Sequence, residues 1–160
     1  MRPRGWPFWL FVALLVLLHF FLHLGLGLGA SAPDLLTVTV LLAARRLAAT
    51  PAAALGAGLG LLQDALSLGA FGAEAVTQAL LGFAGAYSRN FFVGESAAFV
   101  GVYLFLGKWL HDVIFWLLAR PGSGTEVLSR LFVQGPIAAA YAAVGGTAAL
   151  FLYRAAVGER

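Results

Sequence analysis

Cysteine is missing from all 160 residues, so disulfides and thiolate metal sites are excluded and the redox compartment leaves no trace in the chain. Charge is nearly as scarce: 11% of residues are Asp, Glu, Lys or Arg, where a soluble domain carries about 25%. Between Arg4 and Asp34 no side chain is ionised, and only His19 and His23 are titratable near neutral pH. Apolar residues fill the space, at 61% of the chain and a mean hydropathy of +0.91. A bilayer core of about 30 Å takes roughly 20 apolar residues of helix. The reading is an integral membrane protein, a single membrane domain over 1–160 with no soluble one.

The N-terminus resembles a secretory signal, because Arg2 and Arg4 precede the apolar run Trp6–Leu28 and Ala30–Ser31–Ala32 has the form of a cleavage motif. The run is longer than the roughly 7–15 residues of a signal's apolar core. Pro33 would also follow the cut, where its ring hinders a protease. The run is therefore expected to remain as a first span, 6–28. Five more are read at about 33–47, 50–68, 72–87, 92–119 and 136–153. Lipid offers the backbone no hydrogen-bond partner, so each must be a helix, and the fold class is an all-α bundle of six transmembrane helices.

Local chemistry marks the boundaries. Pro33 and Pro51 suit first helical positions, Thr50 is placed to cap the third helix, and Asp34 puts negative charge at the positive end of the second. Gly69 and Gly72 bracket a short turn. In 126–134, Glu126 and Arg130 stand four apart beside the apolar Val127, Leu128, Leu131 and Phe132. That segment reads as an interfacial helix stopped by Gly135–Pro136, with a kinked extension of the last span as the competing reading.

With six spans, Arg2, Arg4, Arg45, Arg46, Arg89, Arg154 and Arg160 fall on one side and Arg120 and Arg130 on the other. The positive-inside rule then puts both termini in the cytoplasm. The second and fourth spans are short, and the arginines of the second must extend outward to finish the crossing.

Polar residues inside the spans are the candidate site. Ala53, Gly56, Ala57, Gly60 and Asp64 share one helix face, where small residues let two backbones approach closely. Asp64 lies about 6 Å inside the outer end of its span. In "GKWLHDV", Lys108 and Asp112 are four apart and can pair, with His111 beside them. Asp112 sits at the depth of Asp64, so Asp64 is expected within reach of Lys108 or of a backbone N–H at a helix start. A charge at the bilayer centre costs about 2.5–3.5 kcal/mol on insertion scales, so such residues need a reason. Three remain open: an ion pair that fixes helix register, a site for a substrate or partner helix, and a proton relay. No nucleophile with a positioned base accompanies them.

His19 and His23 could share a metal, but no third ligand is evident, and packed or partner-facing rings are the reading. Glu95 is read as interfacial, and Glu74 as a residue favoured by the dipole at its helix start. Gly25, Gly27 and Gly29 bend or pack the end of the first span. The small residues of 138–149 form another contact face. No cofactor or metal is expected.

The order of these motifs resembles the rod shape-determining protein MreD family. The resemblance rests on "PDLL", Pro33 to Leu36, then "GLGLLQD", Gly58 to Asp64, then Gly72 and the "LLGFAG" span. It covers about residues 33 to 85; "FGAE" before the fourth span is a plain version of the family's Leu-Gly segment. The resemblance implies a non-enzymatic scaffold of the bacterial cell-elongation machinery in the inner membrane. Its partners would be the single-pass protein MreC and, less directly, the cytoskeletal MreB and the glycosyltransferase and transpeptidase of lateral peptidoglycan synthesis. It also implies a fold similar to the substrate-binding subunits of energy-coupling-factor transporters. That similarity supplies the alternative function, capture of a vitamin-type small molecule in a pocket lined by Asp64, Lys108 and Asp112.

Overall fold

The structure is a computed structural model that describes residues 5–26, 32–67, 71–89, 94, 96–119 and 129–158. Among these there is no strand. The described residues form six α-helices in order: α1 (Trp6–Phe20), α2 (Leu35–Ala44), α3 (Ala49–Leu66), α4 (Ala73–Ser88), α5 (Ala97–Ala119) and α6 (Gly135–Val157). A π-helical turn, Phe21–Gly25, continues α1, and another, Arg130–Gln134, leads into α6. Three stretches are long and apolar enough to cross a membrane: Trp6–Gly25, Ala97–Ala119 and Leu131–Val157.

The centre of the bundle is α2. Its ten residues, LLTVTVLLAA, are all buried, so this helix has no outward face. Four β-branched residues in ten would make a poor isolated helix. Here the hydroxyls are consumed locally: Thr37 donates to Asp34 at 2.7 Å and Thr39 to the Leu35 carbonyl at 2.6 Å. The neighbours make room by having no side chain at the contact. A Cβ on Gly107 would lie 2.5 Å from Leu41, and one on Gly146 2.7 Å from Val38. At only about 15 Å long, α2 is shorter than a bilayer core is thick. Arg45, just past its end, donates to the Gly94 carbonyl at 2.7 Å.

The closest helix pair is α3 with α4. A Cβ on Gly56 would collide with the Gln78 carbonyl, and one on Gly82 with the Ala52 carbonyl. One on Gly60 would lie 2.5 Å from the Glu74 carbonyl oxygen. The small-residue face that the spacing predicts for the third helix is therefore the seam of this pair. Ala139, Ala142, Ala143 and Gly146 likewise turn the small face of α6 inward.

Contacts between helices fix their sense. His19 late in α1 meets Gln63 late in α3, Asp34 ahead of α2 meets Lys108 in the second half of α5, and Glu74 at the start of α4 meets His111. The ends of odd helices and the starts of even ones thus share one end of the bundle. The opposite end brings Phe8 to Tyr153, with ring centroids 6.3 Å apart, and carries Arg45, Arg46, Arg89 and Arg154.

Several boundary expectations are corrected. Thr50 does not cap α3, which begins at Ala49 after an Ala48 that makes no side-chain cap. Pro51 is the third residue of that helix, still within the turn whose N–H groups have no partner. Pro33 precedes the capping Asp34 instead of opening the helix. Gly135–Pro136 does not stop an interfacial helix, because the described part of 126–134 runs straight into α6. Proline lacks the N–H that a π-helical turn would aim at the carbonyl five residues back, that of Leu131. The Trp109 indole supplies that donor from α5 at 3.0 Å. Gly27, Gly29, Gly69, Glu95 and Glu126 lie outside the described residues.

Candidate polar site at one end of the bundle

The site begins with helix starts. Asp34 is the N-cap of α2: its Oδ1 accepts the Thr37 N–H at 3.0 Å. The same carboxylate receives the Lys108 ammonium from α5, with Nζ 2.7 Å from Oδ2. Lys108 also donates to Asp112 Oδ1 at 2.6 Å, one helical turn along α5. One lysine therefore joins two carboxylates, one on its own helix and one at the mouth of the central helix. Charge-assisted contacts of this length are among the stronger hydrogen bonds in proteins.

His111 extends the group to α4. Its Nε2 lies 3.0 Å from Glu74 Oε2 and its Nδ1 3.1 Å from Asp112 Oδ1. The ring is 3% exposed, so these two carboxylates are what it has in place of water. Glu74 is thus more than a residue favoured by the helix dipole: it ties the start of α4 to the middle of α5.

Asp64 faces inward as its stripe predicts, but it does not reach Lys108. Its Oδ2 accepts the N–H groups of Gly72 and Ala75 at 3.0 Å each, and its Oδ1 accepts that of Glu74 at 3.2 Å. Gly72 occupies the capping position of α4 with φ of 93°, a conformation that side chains rarely tolerate. A glycine has no side chain with which to cap, so the carboxylate arrives from the neighbouring helix. It satisfies three otherwise orphaned donors and places negative charge at a positive helix end. Depth matched Asp64 with Lys108; the acceptor that Lys108 meets is Asp34, which starts its helix at the same end.

On the far side, His19 Nδ1 accepts the Leu36 N–H at 3.3 Å and Nε2 lies 3.3 Å from Gln63 Oε1. His23 stacks on it with centroids 4.1 Å apart and its Nδ1 3.0 Å from the His19 carbonyl. Among the described residues no group of three His, Cys, Asp or Glu side chains is arranged to hold a metal. Spacing gave no warning of Gln78. Its amide donates to the Thr37 hydroxyl at 3.0 Å, and its buried Oε1 has no hydrogen-bond partner among the described residues. The only trace in the sequence is its position four residues after Glu74, on the face that carries Gly82.

Beside this group is a cavity of about 320 Å³, to which Asp34, Glu74, Gln78, Lys108 and Asp112 contribute polar wall and Trp116 and Tyr141 aromatic wall; of the expected lining Asp64, Lys108 and Asp112, Asp64 is not part of it. Among the polar residues the sequence singles out, the structure joins Asp34, Glu74, Lys108, His111 and Asp112 in one network. Asp64 is linked to it only through the Glu74 backbone, and Gly56 and Gly60 serve the α3–α4 seam. Chemically, three carboxylates share one ammonium and one imidazole, so each charged group has a hydrogen-bond partner while the cluster as a whole keeps an excess of acid. A second, apolar groove of about 730 Å³ runs along α5 and α6, past Gly101, Phe105, Val144 and Thr147. Comparison with protein-family models, curated proteins and solved structures gave no match.

Proposed function

We propose that the chain is a non-enzymatic membrane scaffold of the bacterial cell-elongation machinery, of the rod shape-determining MreD type, that binds an MreC-like single-pass protein. In this reading all six helices cross the inner membrane, with both termini and the arginine-bearing end in the cytoplasm. The observation that carries it is what the resembling residues do. Asp34, Asp64 and Gly72 set the starts of α2 and α4, and the charged side chains beside them are hydrogen-bonded to one another. Such an end fits a rigid platform better than a reactive centre. The apolar groove along α5 and α6, floored by small residues, is the kind of surface against which a single transmembrane helix packs.

A second reading, the substrate-binding subunit of a vitamin-type transporter, is favoured by one observation, the polar cavity, whose size falls in the range of small-molecule sites. Affinity purification from gently solubilised native membranes separates the two. The scaffold predicts retention of a single-pass protein with a large extracytoplasmic part, and no small molecule. An ATPase module with a stoichiometric vitamin would replace the scaffold with the transporter reading.

A further inference from the structure

At the opposite end of the bundle, three guanidinium groups line one small cavity. Arg45 and Arg46 reach it from the turn after α2 and Arg154 from the last turn of α6, around a wall of Phe8, Leu42 and Leu150; the volume is about 150 Å³. We propose that this cavity binds the phosphodiester head group of an anionic membrane lipid.

Position comes first. Phe8 stands three residues after the Gly5 cap of α1, and Arg154 four before the Gly158 cap of α6. The cavity therefore lies about one helical turn, roughly 5 Å, inside the helix ends. A 23-residue helix is about 35 Å long, so in a spanning α6 this turn falls at the edge of a hydrocarbon core of about 30 Å, from which arginine side chains extend to the phosphates. The apolar wall is continuous with the seam of α1 and α6, where Phe11 stacks on Tyr153 at 4.7 Å. Leu10 and Leu152 are exposed on the outer faces of these helices, so acyl chains have an apolar path leading from the cavity.

Chemistry comes second. Arg46 lies 3.8 Å over the Phe8 ring, Arg154 5.4 Å over Phe151, and Arg45 5.6 Å over Tyr103. A guanidinium carries five N–H donors, so Arg45 can bond the Gly94 carbonyl and still present others, and its planar fork matches phosphate oxygens. Basic pockets between transmembrane helices are known sites for anionic head groups. Cations at the C-terminal ends of α2 and α6 also complement the helix dipoles, which explains arginines at this end but not their convergence. Arg89 serves the same end, donating to the Leu47 carbonyl at 3.3 Å, without lining the cavity. It is the natural control.

The test uses the full chain purified in detergent, with phosphatidylglycerol, phosphatidylcholine and inorganic phosphate as probes, read by native mass spectrometry and thermal midpoint. Phosphatidylglycerol is expected to bind and to raise the midpoint, while the other two at equal concentration do neither. Arg46→Gln changes an exposed residue and should lower phosphatidylglycerol affinity about fivefold, the worth of one basic residue at an anionic surface. The pair Arg46→Gln with Arg154→Gln should lower it roughly thirtyfold on the same basis. If the pair does not fold, the single Arg46 change decides. An equal loss in Arg89→Gln would mean diffuse attraction and overturn the site. So would undiminished binding in Arg46→Gln, or equal binding of phosphatidylcholine. Inorganic phosphate acting as well as the lipid would overturn the lipid assignment.

Discussion

Lys108 is the residue on which the polar end turns, because it is one cation held between two carboxylates on different elements. Asp34 and Asp112 keep about a fifth of their side-chain surface exposed (21% and 19%), which softens the desolvation penalty. Removing one partner of a buried pair typically costs about 3–5 kcal/mol. Lys108→Met is expected near the lower end of that range, read as a loss of detergent-phase stability. Adding Asp34→Asn should recover part of the loss, whereas adding Asp64→Asn should lose more, since Asp64 serves the α4 start. Simple additivity of the Lys108 and Asp34 changes would mean that the two do not interact. Spacing within one helix made the Lys108–Asp112 contact legible, since residues four apart must meet. Which acceptor faces Lys108 from another helix depends on how α2 is seated, and depth alone could not separate Asp34 from Asp64.

Helix pairing was more readable than helix ends. The recurrence of small residues at Gly56 and Gly60 announced a close contact, and the structure supplies α4 as its partner. Lipid is as apolar as a leucine side chain, so this contact is held by close packing more than by the hydrophobic effect. A methyl group on Gly56 must displace backbone, and overpacking of this kind costs about 1–3 kcal/mol. Gly58 lies on the same helix, and a methyl group added there would meet nothing within 4 Å. Gly56→Ala should therefore lower the thermal midpoint, and Gly58→Ala should leave it unchanged or raise it through helix propensity worth about 0.5–1 kcal/mol. Equal effects at the two positions would count against the α3–α4 seam. The ends were less legible because the capping groups are remote: Asp64 accepts N–H groups eight to eleven residues further along the chain, and Trp109 serves a carbonyl on the turn that leads into α6.

For the whole molecule, alternating helix sense and the collection of arginines at one end make topology the first global consequence. The lack of cysteine makes it directly measurable, since any introduced thiol is the only one. In the proposed orientation Phe71, 74% exposed at the polar end, reports the outside and the exposed Arg89 the inside. An impermeant maleimide should label Phe71→Cys in intact cells, and Arg89→Cys only after permeabilisation. The reverse pattern would invert the protein in the membrane. Apolar length singles out three stretches able to cross a membrane; α2 with 10 residues and α4 with 16 are shorter, and the 18 residues of α3 include Gln63 and Asp64. The scaffold role proposed in wall elongation is decided by depleting the protein in its native host and following cell width alongside vitamin uptake. The scaffold predicts that cells widen and round while uptake is unchanged. Cells that keep their width and lose uptake of one compound would contradict it.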